Sequence, residues 1–273
     1  MRTLTPDFDP EAVAQIDARL ADAVAEHDVN IPWAIESGSR AWGFPSPDSD
    51  YDCRFLYVRS RNAYLSPWRP RDVIETPLTD VLDVNGWDLI KAVQLAVKGN
   101  ATVAEWLRSP LVYAGVPAFA ETLLTMVSEV ADVHAIRRHY LHVGRTAWQR
   151  AEPDAQGHLP LKKVFYSLRP AAVLRWLREH DMAVPPMHLP TLFEQAAPPA
   201  SVMDVVDELI ARKAITRELG HGPMAPAVAE FIQQEFALAE TMVDEAPRSP
   251  ADPATYAYAE EVFRELVERY APA

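Results

Sequence analysis

Asp50 and Asp52 stand one residue apart, and nine residues, Gly43, Pro45 and Pro47 among them, separate them from an upstream Gly38-Ser39-Arg40 step. Each feature suggests its own chemistry. Alternate side chains of a strand share a face at about 3.3 Å per residue, so the two carboxylates would project together about 6 to 7 Å apart. That spacing suits two hard cations held by oxygen. Gly38 gives the backbone conformations closed to other residues. If Ser39 to Trp42 opens a short helix, its free N–H groups and the Ser39 hydroxyl form an anion site. Singly, these signals are weak, because Gly-Ser is common in loops and D-x-D can be an acidic turn. Their order along the chain is what singles the stretch out.

The flanking residues supply the strands that would hold these groups. Ile31, Trp33 and Ile35 alternate toward Ser37, and Cys53, Phe55 and Tyr57 alternate with Asp52, Arg54 and Leu56. Period-two patterning with β-branched and aromatic residues predicts a strand on each side. One face of the second strand carries chemistry and the other faces core. Arg54 shares the parity of Asp50 and Asp52 and could either add charge for an anionic substrate or pair with the acids and lower their pKa.

Gly38-Ser39-Arg40-Ala41-Trp42-Gly43 followed by Ser49-Asp50-Tyr51-Asp52 resembles the signature of the DNA polymerase β superfamily of nucleotidyltransferases. Gly86-Trp87-Asp88-Leu89 and Glu105-Trp106-Leu107 with Ser109-Pro110 are similar to segments of its bacterial members linked to RNA repair. The likeness runs from about Trp33 to Trp176 and is specific through Tyr113. It implies transfer of a nucleoside monophosphate from a nucleoside triphosphate to an acceptor hydroxyl, such as an RNA end, a protein hydroxyl or a small molecule. Pyrophosphate would leave, and two Mg²⁺ ions, or Mn²⁺, would serve as cofactors. Gly38, Ser39, Arg40, Ser49 and Arg54 are then the expected nucleotide-binding residues. The superfamily places a third metal-binding acid on the strand beside D-x-D. Glu75, Asp83 and Asp88 compete for that role, and Asp83, in the short apolar run Leu82-Asp83-Val84, fits best. Asp88 suits a helix N-terminus equally well.

Composition limits the alternatives. The chain has 273 residues, 49% of them hydrophobic, and a net charge of −13, which fits a globular protein with ample core and little non-specific attraction to nucleic acid. The single cysteine, Cys53, excludes an intrachain disulfide and a zinc cluster and reads as a small buried hydrophobe. The first ten residues lack the apolar core of a signal peptide, and no apolar run is long enough to span a bilayer. The expectation is a cytoplasmic protein with no membrane partner.

Asp9-Pro10-Glu11 marks a helix start, with Val13, Ile16, Leu20 and Val24 as its apolar stripe. Arg59 to Arg71, with Pro67 and Pro70, reads as a loop. Val73 to Glu75 and Val81 to Val84 read as short strands, the second turning at Asn85-Gly86 into a helix. Beyond Asn100 the pattern is helical, with His134, His139 and His142 taken as surface or packing residues. Lys162, Tyr166 and Arg169 share a helix face, which is either a solvated surface or, by the resemblance, a grip on the triphosphate. A proline-rich connection covers Met182 to Ala200, and Ala246 to Pro253 joins the last two helices. The expected fold is α+β, a small mixed sheet bearing the catalytic site in residues 1–99 followed by a helical bundle in 100–273. Two other readings remain open: a metal-dependent D-x-D glycosyltransferase, and a nucleotide-binding regulator or antitoxin-like protein without turnover.

Overall fold

A computed structural model of the chain describes residues 1–151, 154–180, 182–217, 219–245 and 252–272. The first half runs α1 (Pro10–His27), β1 (Val29–Glu36), α2 (Gly38–Trp42), β2 (Tyr51–Arg59), α3 (Arg61–Leu65), β3 (Val73–Glu75), β4 (Leu82–Asp88), α4 (Leu89–Val97), α5 (Thr102–Leu107) and β5 (Val112–Gly115). There follow α6 (Pro117–Val130), α7 (Val133–Arg150), β6 (His158–Pro160), α8 (Leu161–His180), α9 (Leu189–Ala196), α10 (Ala200–Ile215), β7 (His221–Pro223), α11 (Pro226–Asp244) and α12 (Pro253–Tyr270). The fold is α+β: five strands form a mixed sheet in the order β3-β4-β2-β1-β5, and β6 and β7 pair as a small ribbon.

The sheet is covered on both faces. Cys53, Phe55 and Tyr57 of β2 pack with Ile16 and Leu20 of α1, while Leu56 and Val58 pack with Leu89 and Val93 of α4 and Leu266 of α12. The expectation of one chemical and one core face on β2 therefore holds only as far as Arg54. From Phe55 onward β2 is buried on both sides, as suits a strand with a parallel neighbour, here β4. α1 starts as its sequence predicts, with the Asp9 carboxylate accepting from the Glu11 N–H at 2.9 Å.

A second core is built around α8, whose residues 170–174 are all buried and which packs against α7, α9 and α11. A helix buried on all sides along its middle belongs at the centre of a bundle. β5 completes the first sheet, and α12 returns to pack on α4, α6 and β2.

Three local expectations change. Asn85-Gly86 is no turn, because β4 runs through it to Asp88; a Cβ on Gly86 would lie 2.2 Å from the Phe55 ring, so the glycine lets the neighbouring strand's ring lie flat on the backbone. The Arg59 to Arg71 stretch contains the one-turn helix α3, capped by the Ser60 side chain. Within the proline-rich connection, α9 forms with Pro190 in its first turn. Of the Ala246 to Pro253 connection, residues 246–251 lie outside the described residues. Among the described residues no helix is long and apolar enough to cross a membrane.

Candidate active site

β1 ends at Glu36, and the chain turns through Ser37 into α2, then returns along a loop to β2. Antiparallel pairing of β1 with β2 sets Glu36 opposite Cys53, so the Gly38-Ser39 step comes back over Asp52. The approach is close: Gly38 has φ +60°, and a Cβ there would lie 2.0 Å from Asp52 Oδ2. Glycine is required twice over, for its left-handed backbone and for the space the carboxylate uses.

Parallel pairing of β2 with β4 puts Asp52 in register with Asp83. Arg54 joins them, its Nη2 donating to Asp52 Oδ1 at 3.0 Å and to Asp83 Oδ2 at 2.7 Å. Burial raises the Asp52 pKa most, Arg54 opposes this, and Asp50 and Asp83 add to the rise. Of the two roles open to Arg54, the geometry displays pairing with the acids.

The other two candidates for the third acid sit elsewhere. Asp88 is buried, caps α4 through the Ile90 N–H, pairs with Arg59 at 2.8 Å and accepts from the Tyr64 hydroxyl at 2.8 Å. Glu75 is exposed and pairs with Arg71. Among the described residues no three acid, histidine or cysteine side chains are gathered closely enough to enclose an ion, and Arg54 offsets only part of the charge of Asp52 and Asp83. The donor set itself, carboxylate oxygens from Asp50, Asp52 and Asp83, is that of a hard divalent cation. His139 has its pKa lowered by burial in α7.

Beside these acids is a cavity of about 150 Å³ between the two cores, lined by Ser39, Ser46, Ser49 and Asp50 on one side and Lys162, Tyr166, Lys213 and Arg217 on the other. The Ser49 hydroxyl lies 3.0 Å from those of Ser39 and Ser46. Lys213 is buried, donates to the Phe44 carbonyl at 2.6 Å, and has its pKa lowered by burial to about 8. It continues the buried series Val202, Val206, Leu209 along α10, and that is the signal sequence reading passed over: a lysine on an apolar stripe.

Two expected nucleotide-binding arginines make contacts within the protein. Arg169 does not share the cavity with Lys162 and Tyr166. It is buried, paired with Glu105 at 2.8 Å, bonded to the Met187 carbonyl and set over the Trp42 ring; the helix turns it inward because α8 is central. Arg40 donates to the carbonyls of Ser49 and Asp50 and covers the Tyr51 ring at 4.0 Å, so it shapes the loop that presents the aspartates.

Glu36 was also missed. It is fully buried beneath Asp52, accepting from the Asp52 N–H at 3.0 Å and from the Tyr113 hydroxyl. Burial pushes its pKa from 4.5 to about 8, so it carries a proton at neutral pH. Between pH 4.5 and about 8 the unfolded chain ionises Glu36 and the folded chain does not. Stability should fall through that window by at most about 1.4 kcal/mol per pH unit and level off above it. Glu36→Gln has no proton to lose, so its melting temperature should gain on the parent protein's from pH 5 to pH 8 and then run parallel. A pH-independent difference would refute the raised pKa.

Of the segments that carry the family likeness, one pair packs in the core beside the sheet and the others reach Glu36 and Arg169. Trp87 and Trp106 lie with ring centroids 4.2 Å apart, Ser109 donates to the Glu36 carbonyl at 2.6 Å, and Glu105 holds Arg169. Comparison with known proteins agrees in family. A curated protein of Bacillus subtilis (strain 168), "Uncharacterized protein YcgL", is 37% identical over 211 residues, covering 77% of this chain and 80% of its own. A crystal structure titled as a nucleotidyltransferase-like protein from Exiguobacterium sibiricum 255-15 aligns with 93% of this chain and 79% of its own at 11% identity and a TM-score of 0.28, a likeness too slight to bear on function. Residues 13–265 match the family described as RlaP, RNA repair pathway DNA polymerase beta family, and the chain belongs to that nucleotidyltransferase family.

Proposed function

We propose that the protein transfers a nucleoside monophosphate from a nucleoside triphosphate to an acceptor hydroxyl, an RNA end being the acceptor that the family description favours. The observation that carries this reading is the contact of the Gly38 backbone with Asp52, which joins the phosphate-suited Ser39 step to the Asp52–Asp83 pair. Asp50, Asp52 and Asp83 would hold divalent cations, Mg²⁺ or Mn²⁺, which when bound stabilise charge on the attacking and leaving oxygens. Ser39, Ser46 and Ser49 offer hydroxyl donors to the phosphates. Lys162, Lys213 and Arg217 face those serines across the cavity and supply the positive charge that a triphosphate needs in a chain of charge −13. As α2 has only five residues, side chains and individual N–H groups outweigh any helix dipole. Tyr166, whose pKa is raised by burial and then by Asp50 and Asp52, stands close enough to the acids to border the reacting centre.

The test supplies α-labelled triphosphates and Mg²⁺ to the protein with total RNA, and follows pyrophosphate and the fate of the label. Label in RNA with stoichiometric pyrophosphate is expected. Triphosphate binding with neither product would overturn transfer and leave the regulator reading standing.

The lysines give a second check. Lys213 loses its charge near pH 8 in the free protein, so affinity for a non-hydrolysable triphosphate should fall as pH rises from 7 to 9. Lys213→Met should weaken binding and flatten that pH response, and Lys162→Gln should reduce the salt dependence. Unchanged affinity in both variants would remove α8 and α10 from the phosphate site.

A further inference from the structure

Next to the phosphate cavity, and sharing Tyr166 with it, is a larger space of about 590 Å³ between α7 and α8, within the size range of small-molecule sites. Its walls are mainly aromatic and apolar, Trp42, Tyr140, Val143, Ala147 and Tyr166 among them, with Glu105 as the carboxylate. Glu105 Oε1 takes hydrogen bonds from Tyr140 and Arg169. Oε2 accepts none from the described residues. Among the described residues the buried Trp42 indole N–H has no hydrogen-bond partner. Two cations border the same space, Arg150, which is exposed, and Lys163, which is half-buried and donates to the Arg150 carbonyl at 2.9 Å.

We infer that this cavity binds a nucleobase bearing an exocyclic amine, such as adenine or cytosine. The inference deepens the nucleotidyl-transfer reading and rests on it for the choice of a nucleotide. Aromatic walls offer stacking that any base can use. An ion-paired carboxylate with a free oxygen selects an N–H donor, and uracil presents a carbonyl where adenine and cytosine present an amine. Arg150 and Lys163 suit the attached phosphate. Two sources carry this chemistry: the incoming triphosphate, and the terminal residue of an RNA acceptor.

Calorimetric titration of the full chain in chelator with adenosine and with uridine tests the pocket without any turnover. Adenosine should bind at least tenfold more tightly than uridine. Ala147→Trp, which fills the space from α7, should abolish adenosine binding, and Thr146→Phe serves as a second filling variant should the first fail to fold. Equal binding of the two nucleosides, or full adenosine affinity in a folded filled variant, would overturn the inference. Repeating the titrations with a non-hydrolysable ATP analogue and with a hexanucleotide RNA ending in A identifies the source: the filled variant loses affinity for the analogue if the incoming base is held, and for the RNA if the acceptor base is held. Loss for neither would also overturn the pocket. Failure of transfer with intact adenosine selectivity would strike only the proposed reaction, and the converse result would strike only the pocket.

Discussion

Gly38→Ala should reduce nucleotidyl transfer by about two orders of magnitude or more, the scale of a displacement near 1 Å at a reacting centre. The methyl group would be built 2.0 Å from Asp52 Oδ2 and 2.9 Å from its Cγ, far inside contact distance. Either α2 lifts away, separating Ser39 from the acids, or the Asp52 side chain rotates away from Arg54 and Asp83. Both breach the single junction on which the proposed chemistry depends. Holding a non-glycine residue at φ +60° costs about 1 kcal/mol more, so a modest drop in melting temperature should accompany the loss. Ser39→Ala is the control, because it removes one phosphate-facing hydroxyl and leaves the backbone unstrained. Steady-state rates of pyrophosphate release, with thermal melts alongside, check the pair. A Gly38→Ala protein that works within a fewfold of the parent would show that the contact with Asp52 has no part in turnover.

Much of this frame was legible because it is local. The strand, glycine, short helix, loop and second strand around Asp50 follow from period-two patterning and from glycine and proline placement, and the fold has them where those signals lie. The face on which Arg54 lies followed from parity, but its partner Asp83 is 29 residues away and meets it only through parallel strand pairing. Arg169 shows the opposite failure. Helical spacing placed it with Lys162 and Tyr166, which are exposed, yet Arg169 itself is buried and Glu105 supplied a partner from α5. Lys213, marked only by its place on the apolar stripe of α10, and Glu36 were hard to read for a third reason. Their importance comes from desolvation by elements far away in sequence, and neither belongs to a motif. Asn85-Gly86 has the composition of a turn, and only the ring of Phe55 explains its place in a strand.

Among the acids, Asp52→Asn and Asp83→Asn should each abolish transfer while the fold survives, whereas Asp88→Asn should leave chemistry measurable and cost stability. The distinction follows from what each carboxylate touches. Asp52 and Asp83 are partly exposed, in register on adjacent strands, and share the Arg54 guanidinium, so replacing either relieves some like-charge repulsion and keeps the packing. Their loss is felt in cation binding, since an amide lacks the charge that a hard divalent ion requires. Asp88 accepts from Arg59, Tyr64 and the Ile90 N–H together in a buried setting, and neutralising it strands the Arg59 charge. Breaking a buried pair by removing one partner costs about 3 to 5 kcal/mol; the amide keeps an oxygen for the helix cap, so the lower end of that range is expected. Burial is the largest cause raising the Asp88 pKa, while Arg59, Tyr64 and the Ile90 N–H oppose it. Denaturant unfolding and pyrophosphate release measured on all three variants separate the roles. An inactive but stable Asp88→Asn beside a fully active Asp83→Asn would move the third carboxylate from the start of β4 to its end and redraw the site.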